Sequence, residues 1–424
     1  MTAERLTRNF VLLRALRWLP LGLVLPFLVI TPEARGLSLG AIGAVFAVHS
    51  AVAIVLEVPS GALADMVGRR RVLLAGAALT TLSLLIFAVA DSVGTFMVSA
   101  GLLAAGRALI SGSLEAWYVD SLRSLDPSAP LSRGLSRGTA AEGIAMALGA
   151  LVGGGLVTLA GTGNADSALS GYGVAALAGA LAAVAYMVAV ATLVHDRPHR
   201  PQAAGARDSI GEARESIARR AATVFGTARD EFAGSATVRI VIVTGIALGV
   251  SFTAVELLWQ PRLADLLRDD DSHGVVFGAL AAASMLAVAV GAGMSERLNR
   301  RIGLRLGYLL GLGFAAVCVA LLGAPTAPAT FALVYLLAYF GMGLSDPMHV
   351  ELLNEDVGPT ARATLISAEA LAAQCGALVA NLAVGALAST HGPALAWGIA
   401  GSLLTVTTLA VALPLYRTAR TARA

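Results

Sequence analysis

Ionisable side chains interrupt apolar runs at several places in this 424-residue chain: Arg14, Arg17, His49, Glu57, Arg107, Glu115, Glu256 and Asp346. Each costs at least ~2.5–3.5 kcal/mol at membrane depth, so such groups persist where they meet a partner or line water. Their chemistry would be ion recognition and proton carriage. Arg14 and Arg17 stand three apart and share a helical face. Glu57 lies eight residues before Asp65, ~12 Å deeper along a helix, and is expected to pair with Arg14 or Arg17. Pro59 beside it could kink that helix. Arg107, Ser111 and Glu115 fall at i, i+4 and i+8, which on a continuous helix makes one polar stripe. Phe252, Glu256 and Trp259 share a face before Gln260-Pro261, and an acid among aromatics suits a cationic or amphipathic solute. Asp346 and His349 share another face. His49 either carries a proton or bonds to a backbone carbonyl. Ser367, Gln374 and Asn381 recur every seven residues, as a seam that faces a pathway or ties helices together.

Other chemistries find no support. There is no G-x-x-x-x-G-K-[ST] loop and no lysine at all, so nucleotide drive from this chain is not expected. H-E-x-x-H does not occur, and the two G-x-S-x-G matches, at 36–40 and 134–138, stand in connections between apolar runs and not on a strand-to-helix turn, so the chain does not read as an enzyme. Cys318 and Cys375 lie in apolar runs without metal-ligand spacing. His195 and His199 are separated by Pro198, against a helical metal pair, and read as solvated loop residues. No metal or cofactor is expected.

The elements that carry these residues must be membrane helices. The chain is 57% hydrophobic and 13% charged, and runs of ~20 apolar residues recur throughout. Twelve spans are expected: 9–31, 38–63, 72–90, 94–121, 137–160, 171–194, 238–262, 274–296, 304–323, 328–352, 362–388 and 392–415. The fold class is an all-α membrane protein. Arginines crowd one set of connections, including Arg5, Arg8, Arg69, Arg70, Arg71, Arg123 and Arg133, whereas Arg35, Arg262 and Arg268 alone fall on the other. The rich side reads as cytoplasmic and places both termini inside. The expected domains are a six-helix bundle over 1–194, a cytoplasmic linker with a surface helix over 195–237, and a second bundle over 238–424.

The two halves repeat. At a shift of 231, Gly112 meets Gly343, Glu115 meets Asp346, Asp120 meets Glu351, Asp65 meets Glu296, and Arg69-Arg70 meets Arg300-Arg301. At 227, Glu142 meets Glu369. Acids matching at several places point to an internal duplication of a six-helix unit.

Gly61-Ala62-Leu63-Ala64-Asp65-Met66-Val67-Gly68-Arg69-Arg70-Arg71 sits between two apolar runs, where Gly68 permits a positive φ. This G-x-L-x-D-x-x-G-R-R spacing resembles the loop between the second and third helices of the major facilitator superfamily. Tyr118-Val119-Asp120 followed by Arg133-Gly134 resembles the end of that family's fourth helix, and Glu351 followed by Arg362 its second-half partner. Gly149-Ala-Leu-Val-Gly-Gly is similar to a glycine-rich motif of the family's drug–proton antiporters, with Ala150 in place of a proline. In the second half Asn299 occupies the position of Gly68. The resemblance implies two pseudo-symmetric bundles working by alternating access. It also implies a cytoplasmic gate built from Gly61, Asp65, Gly68, Arg69, Arg70, Asp120, Glu142, Glu296, Arg300, Glu351 and Glu369. The alternative for these charges is that they mark the membrane boundary.

A cavity between the halves, lined by Arg107, Glu115, Glu256 and Asp346, is the expected pathway. The expectation is proton-coupled efflux of a small hydrophobic or cationic compound from the cell. The alternative is proton-coupled uptake of a small solute, anionic if Arg107 binds it. The expected partners are that solute, protons and the bilayer of the cell membrane, with the chain a monomer and no nucleic acid bound.

Overall fold

The computed structural model describes residues 2–161, 171–195, 226, 229–230, 232–267, 273–355 and 359–421; the side chains of 57–62, 64–65, 273, 355, 359–364 and 416–421 lie outside that description. The surface helix expected in the linker, the aspartates 269–271, and the side chains of Glu57, Asp65 and Arg362 therefore fall outside the described residues.

Among the described residues, twelve helical segments are long and apolar enough to cross a membrane, the number expected. In chain order the helices are α1 (Ala3–Val24), α2 (Ile30–Ala34), α3 (Leu39–Val67), α4 (Arg69–Val89), α5 (Val93–Ile110), α6 (Ser113–Leu125), α7 (Leu131–Ala160), α8 (Gly173–Leu193), α9 (Ala236–Leu267), α10 (His273–Ile302), α11 (Leu304–Leu321), α12 (Pro328–Glu355), α13 (Pro359–His391) and α14 (Pro393–Thr421). Helices satisfy every backbone group internally, which is what a bilayer demands of a single segment.

The fourth span corrects the sequence expectation. It is two helices, not one: α5 stops at Ile110, Ser111 is extended at ψ 135, and Gly112 takes φ +71 before α6 starts. Arg107 therefore lies in the last turn of α5, Glu115 in the first turn of α6, and the stripe inferred across Arg107, Ser111 and Glu115 is interrupted at its middle residue. The physical reason is Gly112, which reaches a φ that a side chain would strain. Its counterpart by the repeat, Gly343, lies inside the unbroken helix α12.

The second-half turn is also corrected. Gly68, at φ +100, separates α3 from α4 as expected. Its structural equivalent is Gly303, at φ +85, between α10 and α11, and not Asn299. Because α10 runs about one turn further, Arg300 and Arg301 lie in its last turn, whereas Arg69 and Arg70 open α4.

Contacts divide the chain into two compact units. One comprises Met1–Gly36, Ala51–Arg220 and Asp271–Ala282; the other comprises Leu37–Ser50, Ala221–Asp270 and Ala283–Ala424. In the first, α1 packs along α7 and α8, and α4 along α5 and α8, around Leu6, Phe10, Leu13, Leu73, Tyr118 and Tyr186. In the second, α9 packs along α13 and α14, and α11 along α12 and α14, around Val241, Tyr308, Leu312, Met348, Leu352 and Leu404.

Candidate transport sites

The first unit holds a charge network at the break in its fourth span. Arg14 donates to Glu115 and meets Glu142 at 2.6 Å, and Arg17 reaches the same Glu115 oxygen at 3.5 Å. One carboxylate thus serves two arginines, because the α5–α6 break turns the start of α6 toward α1. The network is neutralised by acids from α6 and α7, among them Glu142, which the resemblance assigned to a gate. The pairing expected for Arg14 and Arg17 involved Glu57, whose side chain is outside the described residues.

Arg107 differs from its neighbours. Its guanidinium lies 5.1 Å from the ring of Trp18, and that of Arg17 lies 5.5 Å from the same ring. No described carboxylate touches Arg107. Among the described residues, three arginines and two carboxylates gather here. Arg17, Trp18, Arg107 and Tyr186 line a cavity bounded by α1, α4, α5 and α8. The sequence reads Trp18 as interfacial belt or packing and does not single out Tyr186, since a single aromatic in an apolar run carries no functional signal.

The second unit contains an acid set among aromatics. Glu256 accepts a hydrogen bond from the Tyr339 hydroxyl, and Phe252 meets Tyr339 edge-on at 6.1 Å. Trp259 packs on Tyr335 at 5.2 Å, and Tyr335 on Tyr339 at 4.8 Å. The face shared by Phe252, Glu256 and Trp259 is thus met by Tyr335 and Tyr339 of α12. Trp259 is only 1% exposed, so it supports the acid's surroundings and presents little surface to a solute.

A second polar group in this unit joins α9, α11, α12 and α13. The Thr244 hydroxyl donates to the Ile240 carbonyl at 2.8 Å, and Tyr308 donates to Thr244 at 2.8 Å. Tyr308 has one proton and has spent it, so its 2.9 Å contact with His349 Nδ1 requires that nitrogen to donate. The other ring nitrogen, Nε2, makes no hydrogen bond and stands 3.4 Å from Glu369 Oε1. Two acceptors cannot face each other in a buried site without a proton on one of them. Asp346 lies one turn before His349 on α12 and is exposed. Glu369, placed at a gate by the resemblance, is here the partner of His349.

The remaining candidates are more peripheral. Arg69 meets Asp120 at 2.7 Å, and Arg70 donates to the Ala191 carbonyl at 2.6 Å. In the second unit Asn299 donates to Glu351 at 3.1 Å, while Arg300 pairs with Glu296 at 3.3 Å on an exposed surface. Exposed pairs of that kind contribute ~0–1 kcal/mol. Asn381 donates to Ser50 at 3.3 Å, Gln374 is half-buried, and His49 is half-buried on α3. Among the described residues no cluster of three or more metal-ligating side chains occurs.

Helix count and the embedded charges define a polytopic membrane protein. The sequence matches the Major Facilitator Superfamily over residues 10–270, and the chain belongs to that family. Its fold is similar to the nucleoside transporter NupG, with TM-score 0.74 and 14% identity over 97% of this chain and 99% of that one. It is likewise similar to a D-xylose-proton symporter, with TM-score 0.69 and 16% identity over 95% and 96%. A third similar structure is a POT family transporter in complex with 5-aminolevulinic acid, with TM-score 0.72 and 13% identity over 96% of both chains. At these identities the likeness is one of fold. No curated relative matches the sequence significantly.

Proposed function

We propose that this secondary transporter couples solute movement to protons by alternating access, with His349 and Glu369 holding the proton. The observation that carries this reading is the direction of donation from His349 through Tyr308 and Thr244, which leaves Nε2 turned to the Glu369 carboxylate. A proton entering there is shared by two groups, and one leaving exposes two acceptors to each other, so its presence changes the energy of the packed helices. The solute reading is a small organic anion taken up with the proton, supported by Arg107, which no described carboxylate touches. The similar D-xylose-proton symporter fits a proton-driven cycle on this fold. We place the protein in the cell membrane with both termini cytoplasmic, on the arginine asymmetry of its connections.

A second reading is proton-driven efflux of a hydrophobic or cationic compound. It is favoured by Glu256, whose surroundings of Phe252, Tyr335, Tyr339 and Trp259 suit a cation.

Proteoliposome flux under an imposed pH gradient decides between them. Carboxylate uptake driven by outside acid, lost in Glu369→Gln with solute exchange retained, is the expected result. Proton release on addition of organic cations would replace uptake with antiport, and flux indifferent to the pH gradient would remove proton coupling.

A further inference from the structure

We propose that Asp346 is the relay through which the proton held by His349 and Glu369 enters and leaves. This rests on the reading of that pair as the proton holder and adds the residue that serves it.

The pair is closed off toward α9 and α11. Tyr308 and Thr244 are 0% exposed, and both have committed their hydroxyl protons, Tyr308 to Thr244 and Thr244 to the Ile240 carbonyl, each at 2.8 Å. A backbone carbonyl has no proton to pass on, so this chain of donors ends at Ile240 and conducts nothing. Glu369 Oε1 is hemmed in as well. It stands 3.4 Å from His349 Nε2, and a Cβ on Gly245 of α9 would lie 3.0 Å from it. His349 is 5% exposed, and its Nε2 is buried. The hydroxyls of α9 and α11 therefore offer a proton no way out.

Asp346 offers one. It lies three residues before His349, so the two share a face of α12. It is exposed although it sits within a membrane span, and a carboxylate at that depth persists where it meets water or a partner. It is also close enough to interact electrostatically with both His349 and Glu369. Among the described residues, the titratable groups facing His349 are Asp346 on its own helix, Tyr308 of α11 and Glu369 of α13. The α9 helix presents uncharged Thr244 and Gly245 to this group. The step is proton transfer alone. An Asp346 oxygen takes a proton from water, gives it to the Glu369–His349 pair, and returns to carboxylate; release runs the same step backward.

The test is 15N NMR of the histidine rings of the purified full-length chain in detergent micelles. The His349 signals are identified by their loss in His349→Gln and followed from about pH 5 to 8. The readout is the rate at which the ring exchanges between its neutral and protonated forms. Asp346→Asn is expected to slow that exchange at least about tenfold. Asp346→Glu, which restores a carboxylate, should return it toward the wild-type rate. Sodium azide, a small diffusible proton carrier, should accelerate exchange in Asp346→Asn and leave the wild type unchanged, which a merely structural role for Asp346 would not produce. Exchange as fast in Asp346→Asn as in the wild type overturns the relay, and so does slowed exchange that azide does not restore. The outcome is separable from the transport reading. A His349 ring that titrates but exchanges equally fast in Asp346→Asn keeps the proton holder and removes the relay. A ring that stays in one protonation state across the range removes the holder and the relay with it.

Discussion

Gly134 and Tyr118 show at the scale of single residues why one motif has its form. The Tyr118 ring stacks on Phe10 at 4.2 Å, and its hydroxyl meets the Thr7 hydroxyl at 3.0 Å. A Cβ at Gly134 would stand 2.0 Å from that tyrosine oxygen. Gly134→Ala should therefore expel the ring and destabilise the protein by ~1–3 kcal/mol, the usual range for overpacking. Thermal unfolding in detergent checks this, with Tyr118→Ala expected to absorb most of the added penalty in the double variant. Equal losses with and without the Tyr118 change would refute the contact. The sequence exposed this pair as a spaced motif but not its cause. In the same way it exposed Arg14, Arg17, Arg107 and Glu115 as costly charges and could not assign partners, because pairing depends on which helices are neighbours. Glu142 and Glu369 illustrate the limit. Both stand near helix ends in a linear reading, yet one meets Arg14 and the other His349.

At the scale of elements, the broken fourth span matters most. Ser111-Gly112 reads as ordinary membrane helix, where small residues are common, so the periodicity of the run conceals the break. Gly112 at φ +71 has open space around the position of an added Cβ. Gly112→Ala should accordingly cost ~1–3 kcal/mol through backbone strain alone. Gly155, inside α7, also has no neighbour within 4 Å of an added Cβ, but it has helical backbone. Gly155→Ala should be neutral or gain ~0.5–1 kcal/mol. A melting comparison of the two variants tests this, and equal behaviour would mean that α5 and α6 are joined as one helix in the protein. Gly303 gives the complementary lesson. The sequence repeat aligned charges well but misplaced the second-half turn by about one helical turn. The turn goes where a glycine takes positive φ, and charge matching does not detect that.

At the scale of the whole molecule, topology is the property most open to test. With Cys318 and Cys375 replaced by alanine, a cysteine at Thr326, between α11 and α12, should react with a membrane-impermeant maleimide on intact cells. A cysteine at Ser124, at the end of α6, should react only after permeabilisation. The reverse pattern would invert the assigned orientation. The sequence by itself determined the twelve spans, the helical class and the family, because a bilayer accepts few backbone solutions and hydropathy records them along the chain. Only the tertiary structure decided where the fourth span breaks, which acid meets which arginine, and that Trp18 and Tyr186 come together with Arg17 and Arg107. Those outcomes arise from contacts between helices far apart in the chain, and local periodicity holds no term for them.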